Sequence, residues 1–235
     1  MEHIADAIRT LKNELPQGVK LVAVSKFHPV EMVCAAYSAG QRVFAESRPQ
    51  ELAAKVNALA SMKSADGKPL YDEIEWHFIG HLQTNKLKLV LPYVSMVQSV
   101  DSMHLLEAID TWGRENGKIT DVLLECHIAS EETKQGFGID EIPGIVAAGR
   151  NFSNVRIRGL MGMATFTDDE SVIRSDFSRI HNLFISVKDS QDSSNGQCSS
   201  FSELSIGMSE DYRMALEYGS TMVRIGTMIF GPRVY

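Results

Sequence analysis

The chain of 235 residues holds three cysteines, Cys34, Cys126 and Cys198, an odd number at wide spacing with no CxxC pair. That pattern indicates neither a disulfide framework nor a thiolate zinc site, and it fits a reducing cytoplasm, the expected location. No apolar run approaches the ~20 residues that a membrane span requires, so no membrane partner is expected. The start, Met1-Glu2-His3-Ile4-Ala5-Asp6, carries acidic residues early and has no apolar signal core, so no export is expected. A clustered basic face is also missing. The net charge is −7 with the two signs interspersed, which argues against a nucleic-acid partner. No sequence repeat at a fixed period is visible.

What is present is enough apolar material, 44% of the residues at a mean hydropathy of −0.10, to bury a sizeable core in one large domain. An amphipathic helix opens the chain, with Ile4, Ala7, Ile8 and Leu11 at helical spacing and Pro16-Gln17-Gly18 as its stop. Short apolar segments then alternate with longer helical patterns. The strands are expected at 21–26, 42–47, 75–80, 95–100, 121–128, 157–165, 203–207 and 222–230. Helices are expected at 30–39, 49–59, 84–91, 103–116, 142–151, 169–188 and 210–218. This rhythm predicts a single α/β domain over 1–235: a parallel (β/α)8 TIM-like barrel with an extra N-terminal helix. A doubly wound open sheet uses the same alternation with fewer strands. Residues 61–72 read as a surface loop, and 189–200, low in apolar residues, as a connection.

In a barrel, function belongs at the C-terminal strand ends. In order these are Lys26, Glu46-Ser47-Arg48, His77 to His81, Ser99-Val100-Asp101, Glu125-Cys126-His127, Met163-Ala164-Thr165, Ser205-Ile206-Gly207 and Arg224 to Thr227. Lys26 has two physical readings: a snorkelling cation, or an amine that attacks a carbonyl. After strand seven, Ser205-Ile206-Gly207-Met208-Ser209 offers small residues that let the backbone approach an anion, with Ser209 as the expected N-cap of the next helix. Strand eight adds Gly226-Thr227. Each turn alone is ordinary; their joint occurrence favours a phosphate cup. Arg224 stands in an apolar run, where it needs a salt-bridge partner such as Glu46 or a ligand. Lysine, cup and arginine together suit pyridoxal phosphate, whose aldehyde, phosphate and pyridine nitrogen each need one of them.

Several blocks carry a resemblance: Val24-Ser25-Lys26, Phe44-Ala45-Glu46-Ser47, Gln50-Glu51-Leu52, Trp76 to Lys86, Leu204 to Ser209 and Gly219 to Gly231. With these the chain resembles the pyridoxal phosphate homeostasis proteins, which are similar to the N-terminal barrel of alanine racemase, the type III fold of pyridoxal phosphate enzymes. The resemblance implies the cofactor as an internal aldimine on Lys26, Arg224 as partner of the pyridine nitrogen, and Ser205, Gly226 and Thr227 as phosphate ligands, with Met208 and Ser209 in the same turn. It places His77 on the cofactor side and Ser47 beside the ring, where the family often has asparagine; Ala45 for a frequent glycine is a second departure. It implies a monomer acting in vitamin B6 and amino-acid homeostasis without established turnover, with apo-enzymes as possible recipients.

Two alternatives stand beside that expectation. An arginine against the pyridine nitrogen opposes ring protonation and weakens the electron sink, although racemases share it. A weak amino-acid racemase would use Lys26 on one face and His77 on the other. It would also need a tyrosine-bearing β domain, which is not expected in the four residues after Gly231, and Tyr212 and Tyr218 read as packing residues. A metal-dependent hydrolase would need His77, His81 and His127 to cluster. His127 reads instead as a core or supporting residue and Cys126 as buried and inert.

Overall fold

The computed structural model describes residues 2–130, 135–195 and 200–232, leaving aside the side chains of 192–195. Cys198 lies outside the described residues. Eight parallel strands close in sequence order: β1 (Lys20–Val24), β2 (Val43–Glu46), β3 (Glu75–Phe78), β4 (Val94–Val100), β5 (Thr120–Cys126), β6 (Val155–Gly162), β7 (Glu203–Ser205) and β8 (Met222–Ile225). Pairing of β1 with β8, from Lys20 opposite Met222 to Ala23 opposite Ile225, shuts the barrel and removes both sheet edges. The open-sheet alternative ends there. The expected helices all form, around the barrel: α1 (Glu2–Glu14), α2 (Val30–Ser38), α3 (Pro49–Ser61), α4 (Leu87–Val90), α5 (Met103–Asn116), α6 (Ile142–Ala148), α7 (Glu170–Asn195) and α8 (Tyr212–Glu217), to which the structure adds α9 (Thr227–Phe230). Among the described residues, no helix is long and apolar enough to cross a membrane.

The strands alternate between two apolar layers. Leu21, Ala23, Phe44 and Leu124 join the layer between barrel and helices, whereas Val22, Val24, Ala45, Met96, Leu123, Met161 and Met222 fill the barrel. This period of two decides which polar residues can reach the barrel mouth. On the strands, His77, Gln98, Glu125, Ser205 and Arg224 fall on the inward register, and Glu46 falls on the outward one.

Three local expectations fail for identifiable reasons. The last strand does not run to 230; it stops at Ile225, and Gly226 C=O takes the N–H groups of Ile229 and Phe230 to start α9. That turn buries Ile229 and Phe230 and leaves Thr227 and Met228 outside. The stretch 189–200 is not simply a connection, because α7 continues to Asn195. Its serines do not break the helix: the Ser190 hydroxyl bonds back to Ser186 C=O at 2.9 Å. Ser209 is not the N-cap of α8. Asp211 takes that place, and its carboxylate accepts the Met208 N–H at 2.6 Å, which folds 208–211 into a closed turn.

Candidate functional site

A cavity of about 590 Å³ opens at the C-terminal ends of β1, β6, β7 and β8. Six of the residues singled out in the sequence line it: Lys26, Met208, Ser209, Arg224, Gly226 and Thr227. Lys26 leaves β1 on the side of Val22 and Val24, four and two residues before it, and is half-buried. Arg224 lies on β8 opposite Val22 and is only 4% exposed. The two cations therefore come from adjacent strands and share one wall. Four carboxylates also line the cavity: Asp168, Glu170 and Glu210 are exposed at its rim, where water screens them, and Asp211 is half-buried with its carboxylate on the Met208 N–H.

The turn after β7 needs glycine. Gly207 has φ +94°, and a Cβ there would come within 2.7 Å of the Ala215 side chain and 2.9 Å of Tyr212 Cα. Gly226 is nearly as close-fitting, since a Cβ would stand 3.3 Å from Val24 C=O. Gly226 brings bare backbone to the cavity wall, whereas Gly207 is buried against Tyr212 and Ala215.

Three singled-out residues do not line the cavity. His77 and Ser205 are buried within the barrel and join Arg224 through Gln98. Arg224 donates to the Ser205 hydroxyl at 2.6 Å, to Ser205 C=O at 2.7 Å and to Gly162 C=O at 3.0 Å. Ser205 in turn donates to Gln98 Oε1 at 2.7 Å, and Gln98 Nε2 donates to His77 Nδ1 at 2.7 Å. Every donor in this relay points from the guanidinium toward the imidazole, so His77 is neutral and carries its proton on Nε2. Burial, with Lys20 at longer range, pushes the His77 pKa down to about 3. The same burial lowers Arg224 to about 10, and Asp211 and Glu125 hold it up. Ser47 is half-buried beside the loop after β3, its C=O occupying the space that a side chain at Gly80 would need.

Glu46 is not the partner of Arg224. On the outward register it pairs with Lys55 at 2.6 Å under α3. His81 Nδ1 meets Asp101 at 2.9 Å, and His127 is half-buried. Among the described residues, no three His, Cys, Asp or Glu side chains are grouped to hold a metal. Cys126 is buried, which pushes its thiol pKa up.

Sequence reading passed over Gln98 and named Glu125 only as part of a strand end, without a role. The signal for Gln98 was present: one amide at an inward position of the otherwise apolar Met96-Val97-Gln98. Gln98→Leu strands both the Ser205 hydroxyl and His77 Nδ1, so stability should fall by about 2 kcal/mol or more in urea unfolding at neutral pH. A change below about 0.5 kcal/mol would mean that the relay carries no such weight.

Glu125 is 7% exposed; burial first, then Asp101, raises its pKa to about 7, against the pull of Arg224 and His81. Between its ordinary 4.5 and about 7 the folded state binds the extra proton, so stability falls as pH rises through that window. The loss is on the order of 3 kcal/mol and is complete at about pH 8. Glu125→Gln should therefore exceed the wild type in stability at about pH 8 and match it at about pH 4. His77 has the opposite sign: its contribution is lost as pH falls from 6.5 toward about 3 in either protein.

With this geometry in place, the relatives of the chain are informative. The family model for the alanine racemase N-terminal domain matches residues 1–234. A pyridoxal phosphate homeostasis protein of Pasteurella multocida is 34% identical over 234 residues, covering all of this chain and 94% of that one. The Homo sapiens protein of the same name is 36% identical over 242 residues, covering all of this chain and 84% of its own length. Among solved structures, PipY of Synechococcus elongatus with pyridoxal phosphate bound aligns at a TM-score of 0.84 and 30% identity, over 97% of this chain and 100% of that one. An alanine racemase from E. faecalis aligns at 0.74 with 16% identity, over 98% of this chain and 58% of the racemase, a likeness of fold. The barrel, and sequence identity sustained along its whole length, make this chain a member of the pyridoxal phosphate homeostasis protein family.

Proposed function

We propose that this chain binds pyridoxal phosphate covalently through Lys26 and serves vitamin B6 homeostasis as a holder of the cofactor rather than by turnover. The observation that carries this reading is the meeting of Lys26, Arg224 and the bare backbone of Gly226-Thr227 around one cavity. The residues fit the group: two cations for an anionic ligand, and at Gly226 bare backbone on the cavity wall. Bound there, the cofactor would supply an aldehyde with which the Lys26 amine could condense, releasing one water.

The chain's own residues divide the remaining work. Arg224, fixed by Ser205 and Gly162, would hold the pyridine nitrogen and disfavour its protonation. Ser209, Gly226 and Thr227 take the phosphate. The Met208 amide is already held by Asp211, so Met208 contributes the exposed rim of the turn. Ser205 and His77 act through Arg224 and Gln98. Ser47 stands beside Gly80, next to Ile79 of the cavity wall. The racemase alternative is disfavoured because His77 is buried, neutral and committed to Gln98, which leaves it unsuited as a second acid/base. We further propose a monomer in a reducing cytoplasm, with apo-enzymes as recipients, consistent with the free thiols of Cys34 and Cys126 among the described residues.

Absorption spectra with added cofactor, before and after borohydride, followed by peptide mapping, test the reading. A band fixed onto the peptide containing Lys26 supports it, and label scattered over surface lysines overturns it. Solvent deuterium entering the α-carbon of an added amino acid, above the rate with free cofactor, would favour the racemase instead.

A further inference from the structure

Behind Lys26, on the outer face of the barrel, lies a buried charge cluster that the cofactor contacts do not include. Lys55 on α3 is 6% exposed. Its ammonium has three acceptors: Glu46 Oε1 at 2.6 Å, Glu51 Oε1 at 2.8 Å and Ser25 C=O at 2.7 Å. The Ser25 hydroxyl donates to the same Glu46 oxygen at 2.6 Å. Glu51 Oε1 also accepts the Phe27 N–H at 2.7 Å. The backbone is thus tied on both sides of Lys26, through the carbonyl before it and the amide after it.

The turn so tied is strained. Phe27 has φ +66°, the left-handed conformation, and among the described residues it is the one non-glycine at positive φ. A bulky side chain there costs about 1 kcal/mol or more and persists only where its surroundings hold it. Arg48, 4.4 Å over the Phe27 ring, presses from outside. Lys55 itself occupies the apolar stripe of α3, between Leu52 and Leu59, where an aliphatic side chain would pack without any desolvation cost. Replacing that option with a buried ammonium makes sense if the cation organises the turn.

We infer that Lys55 and Glu51 are positioning residues for Lys26: they hold the chain in the left-handed turn that directs the Lys26 amine into the cavity. The inference rests on the proposed role of Lys26 as the cofactor's attachment point. Neither residue lines the cavity of Lys26, so each acts through the backbone.

The test uses the full chain and pyridoxal phosphate. Glu51→Met removes the acceptor of the Phe27 amide and leaves the Lys55–Glu46 pair in place, so it should fold. Its affinity for the cofactor, read from the protein-bound absorption band, should drop about tenfold. Without cofactor, hydrogen exchange at the Phe27 amide should accelerate. Lys55→Met should do the same where it folds; Glu51→Met decides the matter if it does not. Adding Phe27→Gly to Glu51→Met should restore most of the affinity, because glycine enters the left-handed region freely and a purely structural defect would not respond to it. Wild-type affinity in Glu51→Met, or no rescue by Phe27→Gly, overturns the inference. A wild-type protein that takes no label at Lys26 overturns the proposed function instead, and the exchange measurement separates the two failures.

Discussion

Lys26→Ala is expected to abolish the borohydride-fixable adduct completely while leaving the barrel folded. The truncation removes a half-buried amine at the edge of a cavity of about 590 Å³, so water fills the space and no core contact is stripped away. Urea unfolding should move by about 1 kcal/mol or less. Residual binding, held by Arg224 and the Gly226-Thr227 backbone, should be weak, reversible and removable by dialysis. Mass spectrometry after borohydride checks the result. A full-strength adduct in the variant, carried by Lys20 or Lys55, would show that the amine had been misassigned. Unfolding of the variant would show that Lys26 supports the fold rather than the ligand.

The largest effect on stability is expected from Gly159→Ala. Gly159 pairs with Glu203 across β6 and β7, and a Cβ there would sit 1.7 Å from Glu203 C=O and 2.6 Å from its carbon. Backbone cannot yield as a flexible side chain does, so one strand must move. Glu203 cannot move alone: it takes Lys20 at 2.7 Å and the Thr221 hydroxyl at 3.1 Å, tying the start of β1 and the approach to β8. Displacing it loosens the seam where the barrel closes. A loss of more than about 4 kcal/mol follows, seen as an early urea transition or as insoluble protein. Gly18→Ala is the control. Gly18 has φ +92° but nothing within 4 Å of its Cβ position, so strain alone costs about 1 kcal/mol. Equal effects at the two positions would contradict the close approach of β6 and β7.

Much of the site was legible in one dimension because barrel strands have a period of two and helices have clear breakers. Lys26 and Arg224 stood out as charges in apolar runs, and Gly226 as a small residue at a strand end. The cap of α8 was misplaced because Ser209 and Asp211 are both acceptable caps by type. Closing the turn onto the Met208 amide selects Asp211. The end of β8 was missed because Thr227-Met228-Ile229-Phe230 is as strand-like in composition as what precedes it. Burial of Ile229 and Phe230 is what bends it into a helix.

By itself the sequence determined the order of eight strands and the α/β class, and it singled out the two cations that line one cavity, since each follows from local period and local charge. Only the tertiary structure decided where those charges find partners. Gln98 meets Ser205, 107 positions away, and Lys55 meets Ser25, 30 positions away, once strand register and helix rotation bring them together. A buried hydrogen bond depends on a few tenths of an ångström between groups distant in the chain, and no local pattern encodes that separation.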